Sequence, residues 1–126
     1  MKVIRDECLP KRLISELPGY EVVTVPMVGW AGVKNGELLR KIDGHYDAFL
    51  TVDALVAQSE TVKGLRFRIL ILKARSNKIE DLRPLIPKMF AALLDAKPGT
   101  VTSVPKTLAS AIESMFYSGK RSFLRA

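Results

Sequence analysis

Short apolar runs alternate with longer amphipathic stretches along this chain, and turn residues punctuate both. Lys2–Asp6 predicts a short strand that ends on charge. Pro10 suits the first turn of a helix, with Leu13, Ile14 and Leu17 apolar and a stop at Pro18-Gly19. Glu21–Val25 is β-branched and predicts a second strand, and Pro26 to Gly32 a loop. Lys34 or Asn35 opens a helix through Glu37, Leu38, Leu39 and Ile42, ending near Gly44. Asp47–Val52 predicts a third strand, followed from Asp53 by a short helical or irregular stretch to about Glu60. Arg66–Leu72 carries the strongest strand signal. Its Ile69-Leu70-Ile71-Leu72 run is the kind found where a parallel sheet is buried on both faces.

Asn77 followed by Glu80 is a helix-start signature. The helix it opens contains Pro84 and Pro87, so the pattern predicts a restart near Pro84. It then runs through Met89, Phe90, Leu93 and Leu94 to a stop at Pro98-Gly99. Thr100–Val104 predicts a short edge strand. Lys106–Ser118 predicts a last helix with Leu108, Ala111, Ile112, Met115 and Phe116 on one face. The strand–helix alternation predicts an α/β fold of three α/β/α layers, with a mostly parallel sheet and right-handed crossovers. Residues 1–105 form its body. Residues 106–126 form a C-terminal amphipathic helix and basic tail, either part of the same domain or an interaction element.

Composition narrows the class. At 126 residues the chain suits one domain, with roughly two thirds of its unfolded surface buried. Hydrophobic residues at 48% and charged residues at 26% exclude a disordered polymer. No apolar run reaches the roughly 18 residues that would span a membrane. The start turns charged within Met1–Asp6, so no signal peptide is expected and the expected compartment is the cytoplasm. The single cysteine, Cys8, and the single histidine, His45, leave any metal site to be built mainly from carboxylates. Charge is uneven. Residues 1–60 hold seven basic and nine acidic residues, and residues 61–105 hold nine basic and three acidic. A basic surface beside an acidic pocket suits a polyanionic substrate whose reaction needs a divalent metal.

The acidic residues fall where a parallel sheet binds ligands, beyond the carboxyl ends of its strands. Asp6 and Glu7 follow the first strand, Asp53 follows the third, and Glu37 lies in the first turn of the helix after the second. Clustered carboxylates repel one another, and Mg²⁺ or Mn²⁺, both hard ions, relieve that repulsion.

The segments MKVIRDECLP, GYEVVTV, GWAGVKNGELL, DAFLTVD and RILILKARSN, in this order over roughly residues 1–97, resemble a compact prokaryotic family of PIN-like proteins. The resemblance implies a metal-dependent nuclease fold with Mg²⁺ or Mn²⁺ as cofactor and RNA as substrate. It also implies, often, a small antitoxin protein as partner. Carried over, Asp6 matches the first-strand aspartate, Glu37 the acidic residue of the second helix, and Asp53 the aspartate of the Thr-x-Asp motif. These three are the expected metal-holding and catalytic residues, and Glu7 matches the adjacent glutamate. Two positions depart from the pattern. Cys8 stands where the family usually has Asn, and Leu55 where many relatives carry a second acidic residue.

Further residues carry expectations beside these. Thr51 is placed to orient a water, and Asn35 to cap its helix or to touch a phosphate or metal-bound water. Lys34, Arg75 and Lys78 are placed to touch phosphate. Trp30 is expected to anchor a loop and His45 to sit in a turn. The leading expectation is a metal-dependent ribonuclease, with a homodimer open. The alternatives are a PIN-like module that binds RNA or protein without turnover, and a receiver-type phosphoacceptor domain with Asp53 as acceptor.

Overall fold

The computed structural model describes residues 1–7, 9–10, 19–58, 62 and 64–105. Five strands form one sheet: β1 (Lys2–Arg5), β2 (Glu21–Thr24), β3 (Ala48–Thr51), β4 (Arg68–Leu72) and β5 (Val101–Val104). Their order is β2-β1-β3-β4-β5 and every pairing is parallel. The ladder registers Val3 with Ala48 and Arg5 with Leu50, and Asp6 extends it by donating its N–H to the Leu50 carbonyl at 2.8 Å. Helix α1 (Asn35–Ile42) lies between β2 and β3 in the chain. Helices α2 (Ile79–Leu82) and α3 (Ile86–Asp95) lie between β4 and β5.

Side chains alternate across a strand, so each strand feeds two cores. Ile4, Phe49, Ile69 and Ile71 face one side and pack with Leu38, Leu39 and Ile42 of α1. Val3, Ala48, Leu50, Leu70 and Leu72 face the other and pack with Ile79, Leu82, Ile86, Met89 and Leu93. The Ile69–Leu72 run is therefore apolar throughout because neither face meets water. Burying each such side chain contributes about 1.5–3 kcal/mol.

The helical region after β4 is more broken than a single restart. Lys78, not Asn77, precedes the first helical residue, and the Ser76 hydroxyl accepts its N–H. A 3-10 turn at Arg83–Leu85 then separates α2 from α3. Pro84 and Pro87 each fall in a first turn, where their missing N–H has no intrahelical partner to lose. The loop after β2 likewise contains a 3-10 turn, Pro26–Val28, closed by Gly29 at φ +84°. The predicted helices after Pro10 and over Lys106–Ser118 lie outside the described residues, as does Cys8. Among the described residues, no helix is long and apolar enough to cross a membrane.

Candidate functional site

In a parallel sheet all strands end at one edge. The order 2-1-3-4-5 reverses its winding between β1 and β3, and such a switch point opens a crevice beyond the strand ends. Asp6 leaves β1 there and Asp53 follows β3 there. Ile4 and Asp6 share one face of β1, and Phe49, Thr51 and Asp53 continue the same face of β3. It is the face covered by α1, whose N-terminus sits at this edge because the helix returns toward the start of β3.

Side chains and backbone N–H groups form one bonded group. The buried Thr51 hydroxyl donates to Asp6 Oδ2 at 2.7 Å and accepts the Asp53 N–H at 3.0 Å. Asp6 Oδ1 accepts the Glu7 N–H at 2.8 Å. Asp53 Oδ1 accepts the Leu55 N–H at 2.9 Å, which starts the 3-10 turn Ala54–Gln58. Asp53 Oδ2 accepts from the Asn35 amide at 3.3 Å. Asp6, Asp53 and Asn35 are half-buried, so the group opens to solvent on one side. Among the described residues each carboxylate oxygen accepts one bond, and each has roughly two lone pairs.

That donor set suits a small hard cation. Mg²⁺ is commonly held by one or two carboxylates and several waters. The residues present offer two oriented carboxylates at one edge of the sheet, with a hydroxyl and a carboxamide beside them.

Other expected residues lie around this group rather than in it. Glu37 is exposed in the first turn of α1. Among the described residues no three of Asp, Glu, His and Cys come together as a metal cluster, so the three-carboxylate arrangement of Asp6, Glu37 and Asp53 is not assembled. Glu7 gives its backbone N–H to Asp6 while its side chain is exposed. Lys34 precedes α1 and Arg75 follows β4 at the same edge, both exposed, and Lys78 precedes α2. Asn35 does not cap α1. The cap position is Lys34, which makes no side-chain cap bond, and the Asn35 amide goes to Asp53 instead. Trp30 packs edge-on against Tyr46, with ring centroids 6.1 Å apart, and anchors its loop. His45 sits in the turn after α1 at the opposite edge, in a small recess with Lys2, Asp47 and Arg66.

Arg5 carried no expectation, yet it is 1% exposed. Its guanidinium donates to the Leu9 carbonyl, and the Leu9 N–H donates to the Asp6 carbonyl at 3.2 Å. The turn that presents Asp6 is thus pinned from beneath. The available signal was position: the last residue of a central strand has no solvent-facing side.

Comparison with protein-family models, with curated proteins and with solved structures found no match. The functional reading therefore stands on the site itself.

Proposed function

We propose that this protein is a metal-dependent ribonuclease of the PIN-like type, working at the Asp6–Asp53 crevice. One observation carries the reading. At the switch point of a parallel sheet one buried hydroxyl bonds the carboxylate of Asp6 after β1 and the backbone N–H of Asp53 after β3, which sets two aspartates from separate strand ends side by side. Both carboxylates are oriented by hydrogen bonds at that edge, and a divalent cation is the partner that two such oxygens suit. Mg²⁺ or Mn²⁺, when bound, acidifies a water and offsets charge on the phosphate under attack.

The chain's own residues do the rest. Asp6 and Asp53 hold the cation, Thr51 fixes the rotamer of Asp6, and Asn35 fixes that of Asp53. The N-terminus of α1 brings partial positive charge to the same edge, which favours a phosphate there. Lys34 and Arg75 flank it and take neighbouring phosphates of a single strand. Glu37 stands at the rim, where it affects turnover less than either aspartate. RNA fits this surface better than a small ester because cations flank the crevice from two separate elements, after β2 and after β4. A small antitoxin protein is the partner this reading brings with it.

The test is cleavage of a fluorescent single-stranded RNA by the full chain in Mn²⁺ or Mg²⁺, beside EDTA and Asp6→Asn. Cleavage that needs metal and Asp6 supports the proposal, and a folded protein without metal-dependent cleavage rejects it.

A second reading draws on the strand order, which receiver-type phosphoacceptor domains share. It makes Asp53 the acceptor. Fold analogy is its only support, because Lys73 follows β4 and Pro105 follows β5, where a receiver places a hydroxyl and a lysine. Incubation with acetyl phosphate, followed by intact-mass measurement, separates the two: an added phosphoryl group lost in Asp53→Asn favours the receiver.

A further inference from the structure

We infer that residues 106–118 of this chain, as an amphipathic helix, cover the groove between α3 and the outer edge of β5. The groove is mostly apolar and holds about 430 Å³. Ala91 and Ala92 of α3 line one side, Thr102, Ser103 and Val104 of β5 the other, and Pro105 lines it as well. β5 ends the strand order, so one of its edges has no neighbouring strand among the described residues. The carbonyls of Thr100 and Val104 accept the N–H groups of Ile69 and Lys73 on the β4 side. Alternation turns the backbone groups of Val101 and Ser103 to the open side. Sheet edges are ordinarily protected by charge, a proline or a bulge, or by a helix laid over them. Val101–Val104 carries no charge and no proline. On α3, Leu94, three residues on from Ala91, is 78% exposed, the most exposed large apolar side chain among the described residues.

The chain itself supplies a cover for this edge. Pro105 has no N–H for a ladder, so the chain leaves the sheet there, at the groove. Beyond it, Leu108, Ala111, Ile112, Met115 and Phe116 stand at i, i+3, i+4, i+7 and i+8, which is one apolar stripe along a helix. A helix over 106–118 is about 20 Å long, against about 13 Å for the four residues of β5, so it spans the whole edge. A helix of that length is marginal alone in water and draws its stability from the surface it covers. Leu108 follows Pro105 by three residues, within about 10 Å along the chain, so the stripe starts at the groove. A tether that short gives the segment an effective concentration of about millimolar, which a second copy or a separate partner must match to displace it. β4 separates β5 from β3, so this cover lies on the flank of the sheet and does not depend on the nuclease reading.

The test is amide hydrogen exchange of the full chain, read by mass spectrometry over a dilution series, for wild type, Ala91→Glu and Ile112→Asp, with melting and sedimentation alongside. Ala91 is exposed on α3, so glutamate there disturbs α3 little and acts on whatever covers it. Wild type is expected to be a monomer whose 106–118 amides exchange at least about tenfold more slowly than an unstructured segment at every dilution. Each variant is expected to lose that protection and to melt about 3–8 °C lower, while β1, β3 and β4 stay protected. Protection that appears only as the chain dimerises assigns the groove to a second copy and overturns the inference. Absence of protection over 106–118 overturns it too, as does protection that Ala91→Glu leaves unchanged, which places the segment elsewhere.

Discussion

Thr51→Val removes the hydroxyl that links the Asp6 carboxylate to the Asp53 backbone and changes little else. Thr51 is fully buried, so valine enters the space with the same branching. Two bonds are lost: the donation to Asp6 Oδ2 at 2.7 Å and the acceptance from the Asp53 N–H at 3.0 Å. A hydrogen bond to a charged group contributes about 1.5–3 kcal/mol and a neutral one about 0.5–1.5 kcal/mol. Both partners are half-buried, so water replaces part of each bond. Exchanging a hydroxyl for a methyl beside the apolar face under α1 returns about 0.5–1 kcal/mol. The net expected destabilisation is about 1–3 kcal/mol, read as a lower urea midpoint at unchanged slope. Mn²⁺ affinity should fall about tenfold, because the rotamer of Asp6 is no longer fixed. Thr51→Ser keeps the hydroxyl and should retain the affinity while losing only packing. A Thr51→Val protein within about 0.5 kcal/mol of wild type that binds Mn²⁺ equally well would refute the bridging role.

Three further outcomes follow from named contacts. Asp6→Asn and Asp53→Asn should each abolish cleavage while staying folded, with stability in EDTA within about 1 kcal/mol of wild type, since lost repulsion offsets the altered bonds; circular dichroism melts beside the cleavage assay check this. Gly99→Ala should destabilise more than Gly44→Ala in urea titrations. Both glycines have positive φ, but a Cβ at Gly99 meets the Leu65 backbone oxygen at 2.9 Å, whereas at Gly44 it meets the movable end of Arg66. Lys34→Ala and Arg75→Ala should each weaken single-stranded RNA binding and reduce the salt-dependence slope by about 0.7, measured by fluorescence anisotropy across a salt series; an unchanged slope would place either residue outside the RNA track.

Much of this fold is legible in local pattern. Ile69–Leu72 reads as a doubly buried strand because the run is apolar at every position, and the five strands stand where β-branched and apolar runs predict them. Asp6 and Asp53 read as strand-end carboxylates because parallel strands end together. What the pattern does not carry is lateral order. Thr51 reaches Asp6 only because β3 pairs with β1, and Asn35 reaches Asp53 only because α1 covers that face. Read along the chain alone, Asn35 is a helix cap or a contact to phosphate or metal-bound water, and nothing marks Arg5 as a buried residue. Glu37, the acidic position of the motif on α1, is exposed on its helix, and its place around the helix is not legible from the motif alone. Pro84 and Pro87 announce a break after β4, but not that the helix passes through a separate 3-10 turn.

The most direct measurement is cleavage of single-stranded RNA by the purified full chain with Mn²⁺ or Mg²⁺, in parallel with EDTA and with Asp6→Asn. The expected result is cleavage with either metal, none in EDTA, and none from the folded variant. Equal cleavage by wild type and Asp6→Asn, or none from a folded wild-type protein whose melting temperature Mn²⁺ leaves unmoved, would contradict the assignment of the Asp6–Asp53 crevice as a metal-dependent nuclease site.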